Sequence, residues 1–212
     1  MRLMMLILAA MLAKPEVLDR MAVSVGDEII TEQQVLLHLR TAALLNAENV
    51  KTTRAAKRAA AQKLIEVVLI RMEMQTNRYP LPSDEQVNQM LVSAKKMRFG
   101  GSEQKYRDEL ERVQITEADL KDSLRWQLAI LSFIDFRFRP GVQISEDELK
   151  DYYEFEFKAP GGKKPTYDDA REEIEERLTQ QRIDNLLDRW LNQAETATRI
   201  KWVKEVFDGS TP

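Results

Sequence analysis

The chain has 212 residues, 32% charged and 43% hydrophobic, which excludes both a disordered tail and a multi-pass membrane protein. A formal net charge of −3 argues against a general nucleic-acid binder. The absence of cysteine excludes disulfides, thiolate catalysis, cysteine-ligated zinc and lipid attachment through an N-terminal cysteine. At this length, one domain with a real core, or one lobe plus an appendage, is the expectation.

Arg2 is followed by the apolar run Leu3–Ala13 and then Lys14-Pro15. The run has the length of an export signal's apolar core and is too short for a bilayer, which needs about 20 apolar residues. Residues 1–13 therefore read as a signal peptide, although Met11 stands where a small residue is expected before a cleavage site. An amphipathic or buried N-terminal helix is the other reading.

Met21–Val25 alternates apolar and small residues, Gly26-Asp27 makes a turn, and Glu28-Ile29-Ile30 resumes. Glycine at the first central position predicts a type II′ hairpin. Thr31 and Gln34 have capping-box spacing and open a helix with Val35, Leu36, Leu39, Ala42 and Ala43 on one face. The next helix runs from about Thr53 to Arg78. Its centre, Leu64 to Met72, is apolar on nearly all sides, so other elements should surround it. Pro80 and Pro82 end it.

Ser83 caps a helix whose predicted inward face is Val87, Met90, Leu91, Ala94 and Met97. Gly100-Gly101 stops it. Ser102 caps a short helix with Tyr106, Leu110 and Val113 in line. Thr116 caps a longer one with the stripe Leu120, Leu124, Leu128, Leu131 and Ile134, closed by Arg139-Pro140-Gly141. Ser145 and Glu148 form a further capping box before Leu149, Tyr152 and Tyr153. Lys158–Pro165 then breaks the chain between helical segments 145–157 and 166–196, because Pro-Gly-Gly cannot continue a helix. Thr166 caps a final helix, and Thr198–Val203 alternates like a strand. A lone strand cannot satisfy its backbone, so 199–203 is expected to pair with 21–30 and tie the two ends together.

Five segments in this order resemble the peptidyl-prolyl isomerase-linked chaperones of the SurA and PrsA type. They are Val23–Thr31, Gln62–Ile70, Phe99–Leu110 with Ile115–Leu120, Ile144–Tyr153, and Tyr167–Arg171 with the helix behind it. Val25 departs from the family's usual asparagine. A whole parvulin isomerase domain usually sits between the last two segments, where this chain has only Lys158–Pro165. The resemblance thus implies a chaperone core over 21–203 without isomerase activity: an N-terminal part 21–157, a linker 158–165 and a C-terminal helix and strand 166–203. It also implies a periplasmic location and unfolded, including outer-membrane, polypeptide clients.

His38, the only histidine, lies between Leu37 and Leu39 on a helix and has no partner motif, so it reads as a surface or satisfied side chain. No phosphate loop, G-x-S-x-G or H-E-x-x-H sequence occurs. The acidic cluster from Asp168 to Glu176 suits a helix start rather than a metal site. Lys51, Arg54, Lys57 and Arg58 read as a solvated helix face. Methionine is the one hint of a client surface, since flexible thioethers fit varied apolar partners. Core filling is the default reading, since Met90 and Met97 fit the inward stripe of their own helix; the client surface to test is nonetheless the 84–110 region, with Met90, Met97, Phe99 and Tyr106.

The expectation is a mainly α fold with a small β element joining the N- and C-terminal segments. Its expected function is an ATP-independent holdase, not an enzyme, with no cofactor, no catalytic or metal-binding residue, no nucleic-acid partner and no stable membrane insertion. The alternative is an assembly adaptor for one folded partner. A homodimer formed by strand exchange would satisfy the same terminal pairing.

Overall fold

A computed structural model of the chain describes residues 19–156 and 165–208. The expected export signal over 1–13, and the break except Pro165, lie outside those residues. The fold is mainly helical, with a three-stranded antiparallel sheet built from both ends of the described chain.

The hairpin forms as its alternation predicts. β1 (Met21–Val25) and β2 (Glu28–Thr31) meet across Gly26-Asp27, with Val25 opposite Glu28. Gly26 takes φ +59° while Asp27 stays out of the left-handed region, the signature of a II′ turn. The third strand, β3 (Ile200–Trp202), lies on the other side of β1, with Val23 opposite Trp202 and Val25 opposite Ile200. The sheet order is β2-β1-β3, so β1 is central and, among the described residues, β2 keeps a free edge.

Each predicted Ser or Thr cap starts its helix. Thr31 accepts from the Gln34 N–H and opens α1 (Glu32–Asn46), which ends at Ala47 in the left-handed conformation. Thr53 caps α2 (Arg54–Thr76) and Ser83 caps α3 (Asp84–Phe99). Ser102 and Thr116 cap α4 (Glu103–Val113) and α5 (Glu117–Phe138). A 3₁₀ turn at Arg139–Gly141 follows. Ser145 accepts from the Glu148 N–H at the start of α6 (Glu146–Glu156), and Thr166 caps α7 (Tyr167–Ala197). One short helix, α8 (Lys204–Asp208), was not expected from the sequence.

The core has four parts. Val23, Val25 and Ile30 of the sheet pack on Val35 of α1, Ile65, Val68 and Leu69 of α2, and Val206 and Phe207 of α8. A second cluster joins Leu44, Val87, Leu91, Tyr106, Leu120 and Leu124 from α1, α3, α4 and α5. A third sets Ile70 and Met74 of α2 against Phe133 and Phe138 of α5 and Ile183 of α7. A small fourth cluster, Leu149 with Ala170 and Ile174, holds α6 on the first half of α7. The helix centred on Leu64–Met72 is thus surrounded as its pattern predicts: α2 touches the hairpin, α1, α5, α7 and α8.

The stripes needed correction at their ends. Met97, expected inward, is 81% exposed, because α3 packs chiefly on α4 and α5, touches α1 through Arg98 and Leu44, and buries just Val87 and Leu91. Leu131, also expected inward, is 56% exposed. The second half of α5 turns to α2 and α7, so Ala129 and Phe133 are buried instead.

Candidate functional site: a groove between α1, α2 and α5

Three helices leave a groove of about 310 Å³ between them, with β2 at its lip. Helical spacing accounts for its walls. Leu37, His38 and Thr41 share one face of α1; Leu64, Val67, Val68 and Arg71 share one face of α2. From α5 come Asp122, Ser123, Trp126 and Ile130, and from β2 comes Ile29. Ile29 is 54% exposed, a large apolar side chain left open at the rim. The volume is at the small end of ligand pockets, which hold about 300–1,000 Å³.

The rim charges are already engaged within the chain. The Arg71 guanidinium lies 2.6 Å from Glu28 and 5.8 Å from the Trp126 ring centre. Asp122 pairs with Arg125 at 2.6 Å. Asp119, at the start of α5, accepts from the Thr116 N–H at 2.8 Å. What remains open is mostly apolar.

Two polar groups stand out on the α1 wall. The Thr41 hydroxyl is enclosed, its residue 3% exposed, and has no hydrogen-bond partner. Such a group costs about 1–3 kcal/mol of desolvation without recompense. His38 is partly buried; burial, and then the nearby Lys63 cation, holds its imidazole below the usual 6.5. His38 therefore lines a cavity, whereas its sequence context suggested a routine helix face.

A pH dependence follows from His38. Its pKa is lower folded than unfolded, so the unfolded chain takes up the proton first. Its stability contribution is full above about pH 6.5 and is lost as the pH falls through that unfolded value toward the folded one. Lys95 holds the Glu117 carboxyl below its ordinary 4.5, and the Ser145 backbone N–H does the same for Glu148. Those groups act at lower pH and leave the window between 6.5 and 5 to His38. Urea melts at pH 7 and pH 5 should show a stability loss that His38→Gln removes; an equal loss in that variant contradicts the assignment.

The four residues expected to bind clients do not share one surface. Tyr106 is 1% exposed and sits in the second cluster. Its hydroxyl, pushed well above the ordinary phenol range by burial and then by Glu117, has no partner of good hydrogen-bond geometry. Phe99 packs edge-on against Tyr106 at 5.6 Å, and Met90 packs partly buried against the same cluster. Only Met97 is open. The region is also braced: the Lys95 ammonium sits 3.9 Å from the Tyr106 ring centre and 3.0 Å from Glu117, and the Arg98 Nε donates to the Leu44 carbonyl at 3.0 Å.

Several of the charged residues singled out in the sequence are tied up locally. Lys57 pairs with Glu32 at 2.9 Å, and the Arg58 guanidinium lies over Trp202 at 5.0 Å. Asp169 serves the Thr166 cap, Glu173 pairs with Arg177, and Glu176 pairs with Arg139. Among the described residues no group of three or more His, Asp or Glu side chains is placed to hold a metal ion. No described helix is long and apolar enough to cross a membrane.

No protein-family model matches the chain, and no curated protein sequence matches it.

Proposed function

We propose that this chain is an ATP-independent holdase that shields apolar stretches of unfolded polypeptides in an extracytoplasmic compartment and has no isomerase activity. The observation that carries the reading is the groove between α1, α2 and α5. It is apolar and its rim charges are engaged. The order of the five segments that resemble the SurA and PrsA type supports the same reading, as does the joining of the two ends in one sheet. The extracytoplasmic location rests on the sequence of residues 1–13. With no nucleotide-binding motif in the sequence, release depends on weak, reversible contacts.

The test is light scattering from several unrelated denatured proteins, such as citrate synthase, reduced insulin and an outer-membrane barrel diluted from urea. Suppression should rise with the ratio of this protein to client, need no ATP, and weaken several-fold in Val67→Asp, which puts a charge on the groove wall, while the melt stays cooperative. Proline-limited refolding, whose uncatalysed phase takes roughly 10–100 s, should not accelerate at substoichiometric protein. Tight binding to one folded partner without suppression would sink the holdase reading and favour an assembly adaptor.

A further inference from the structure

We infer that the groove receives an extended, uncharged stretch of another polypeptide, which adds as a fourth strand to the free edge of β2 and seats one large apolar side chain beside Thr41. This deepens the holdase reading and rests on it.

The backbone bonds define the edge. Gly26 N–H donates to the Arg199 carbonyl at 2.9 Å, and Val203 N–H donates to the Ala22 carbonyl at 2.9 Å. The even-numbered residues of β1 therefore turn their backbone toward β3, and Ser24 lies between them. Ser24 faces Ile29 across the hairpin. In an antiparallel pair both members of such a position point their N–H and C=O away from each other. The Ile29 donor and acceptor thus face outward from β2, the end strand of the sheet, and no described residue bonds to them. Farther along, the Thr31 N–H is taken by the Gln34 side chain at 2.9 Å. The edge offers Ile29 alone, which limits an added strand to one register.

The edge selects the conformation of its occupant, because only an extended segment can meet the Ile29 donor and acceptor in ladder geometry. A single large side chain from an extended segment fits the groove beside it, and alternate residues of a strand point the same way. The occupant is uncharged because the rim ions are engaged: Arg71 with Glu28, and Asp122 with Arg125. Strand addition combines these elements, main-chain bonds giving affinity and a pocket giving preference.

The probe is the capped peptide acetyl-Thr-Val-Thr-Phe-Thr-Val-Thr-amide with a fluorescent label, compared with an alanine-rich helical peptide carrying the same Phe. Fluorescence anisotropy on the full chain should show binding of the extended peptide only. Ile29→Pro removes a donor that is not part of the hairpin ladder, a position where proline is tolerated. It should keep the melt and weaken binding at least about tenfold. Wild-type affinity in Ile29→Pro, or equal affinity for the helical peptide, overturns the inference. Should Ile29→Pro fold poorly, hydrogen exchange on the wild-type protein decides: the Ile29 amide gains protection on saturation with peptide, and an unprotected amide overturns the proposal.

Aggregation suppression separates this from the holdase reading. Suppression that persists in Ile29→Pro with unchanged peptide binding keeps the holdase and removes strand addition. Edge-dependent peptide binding without any suppression does the reverse. Self-association abolished by Ile29→Pro and competed by the peptide would make the occupant a second copy of this chain, and would overturn the assignment to another polypeptide.

Discussion

Ending the chain after Ala197 should abolish cooperative unfolding. The truncation removes β3, which pairs with β1 through Val23–Trp202 and Val25–Ile200, and leaves the central strand of the sheet as a second open edge. It also removes α8, whose Val206 and Phe207 are buried against the sheet and α2. Trp202 is only partly buried; its ring meets Phe207 at 5.2 Å, edge to face. Replacing a buried Phe by Ala alone costs about 3–5 kcal/mol, so Phe207→Ala already takes a large share of a typical stability of about 5–15 kcal/mol. The truncation loses that contact, Val206 and the strand bonds together. A urea melt followed by circular dichroism should be broad and shallow for the 197-residue chain and sharp for full length, with Phe207→Ala between them. Identical melts would show that the C-terminal strand and helix do not close the core. The full-length midpoint should not move with protein concentration, because β3 pairs with its own chain; a midpoint that rises with concentration indicates strand exchange between two chains.

Phe133→Ala is the second large effect expected, a loss of about 3–5 kcal/mol. Phe133 is fully enclosed where α2, α5 and α7 meet. Its ring lies 5.3 Å from Tyr79, 5.9 Å from Phe138 and 5.5 Å from Trp190. Arg137, which pairs with Glu73 at 2.8 Å, spreads its guanidinium near the Phe133 and Trp190 rings. Truncation empties the centre of that ring cluster and loosens α7, along with the small α6–α7 contact that depends on it. Phe136, three residues on, is 71% exposed, so Phe136→Ser should change stability by no more than about 0.5 kcal/mol. Thermal melts with tryptophan emission as a second probe decide it. Equal effects of the two substitutions would mean that Phe133 is not the residue on which this junction depends.

The sequence by itself determined what is local, together with one long-range feature. Helix starts were legible because Thr31, Ser83, Ser102, Thr116, Ser145 and Thr166 each satisfy orphan N–H groups within three residues, a bond that needs no distant partner. The hairpin was legible because Gly26 is free to take a positive φ. The surrounded position of α2 followed from an apolar pattern on nearly every side. The pairing of β3 with β1 was legible because a single strand has nowhere else to satisfy its backbone. Tertiary structure alone decided which side of each stripe is covered. Met97 and Leu131 fit their own helices' apolar spacing as well as Val87 and Leu124 do, but a helix buries only the face its neighbours reach. It alone decided the role of α8, five residues too short to carry a period. It alone made the groove, because Ile29, Thr41, Val67 and Trp126 come from four elements and none is unusual in its own. A polar Thr41 among the apolar positions of α1 was the one sign of it in the sequence. Its meaning depended on how α1, α2 and α5 pack, since only that packing encloses its hydroxyl and leaves it without a partner.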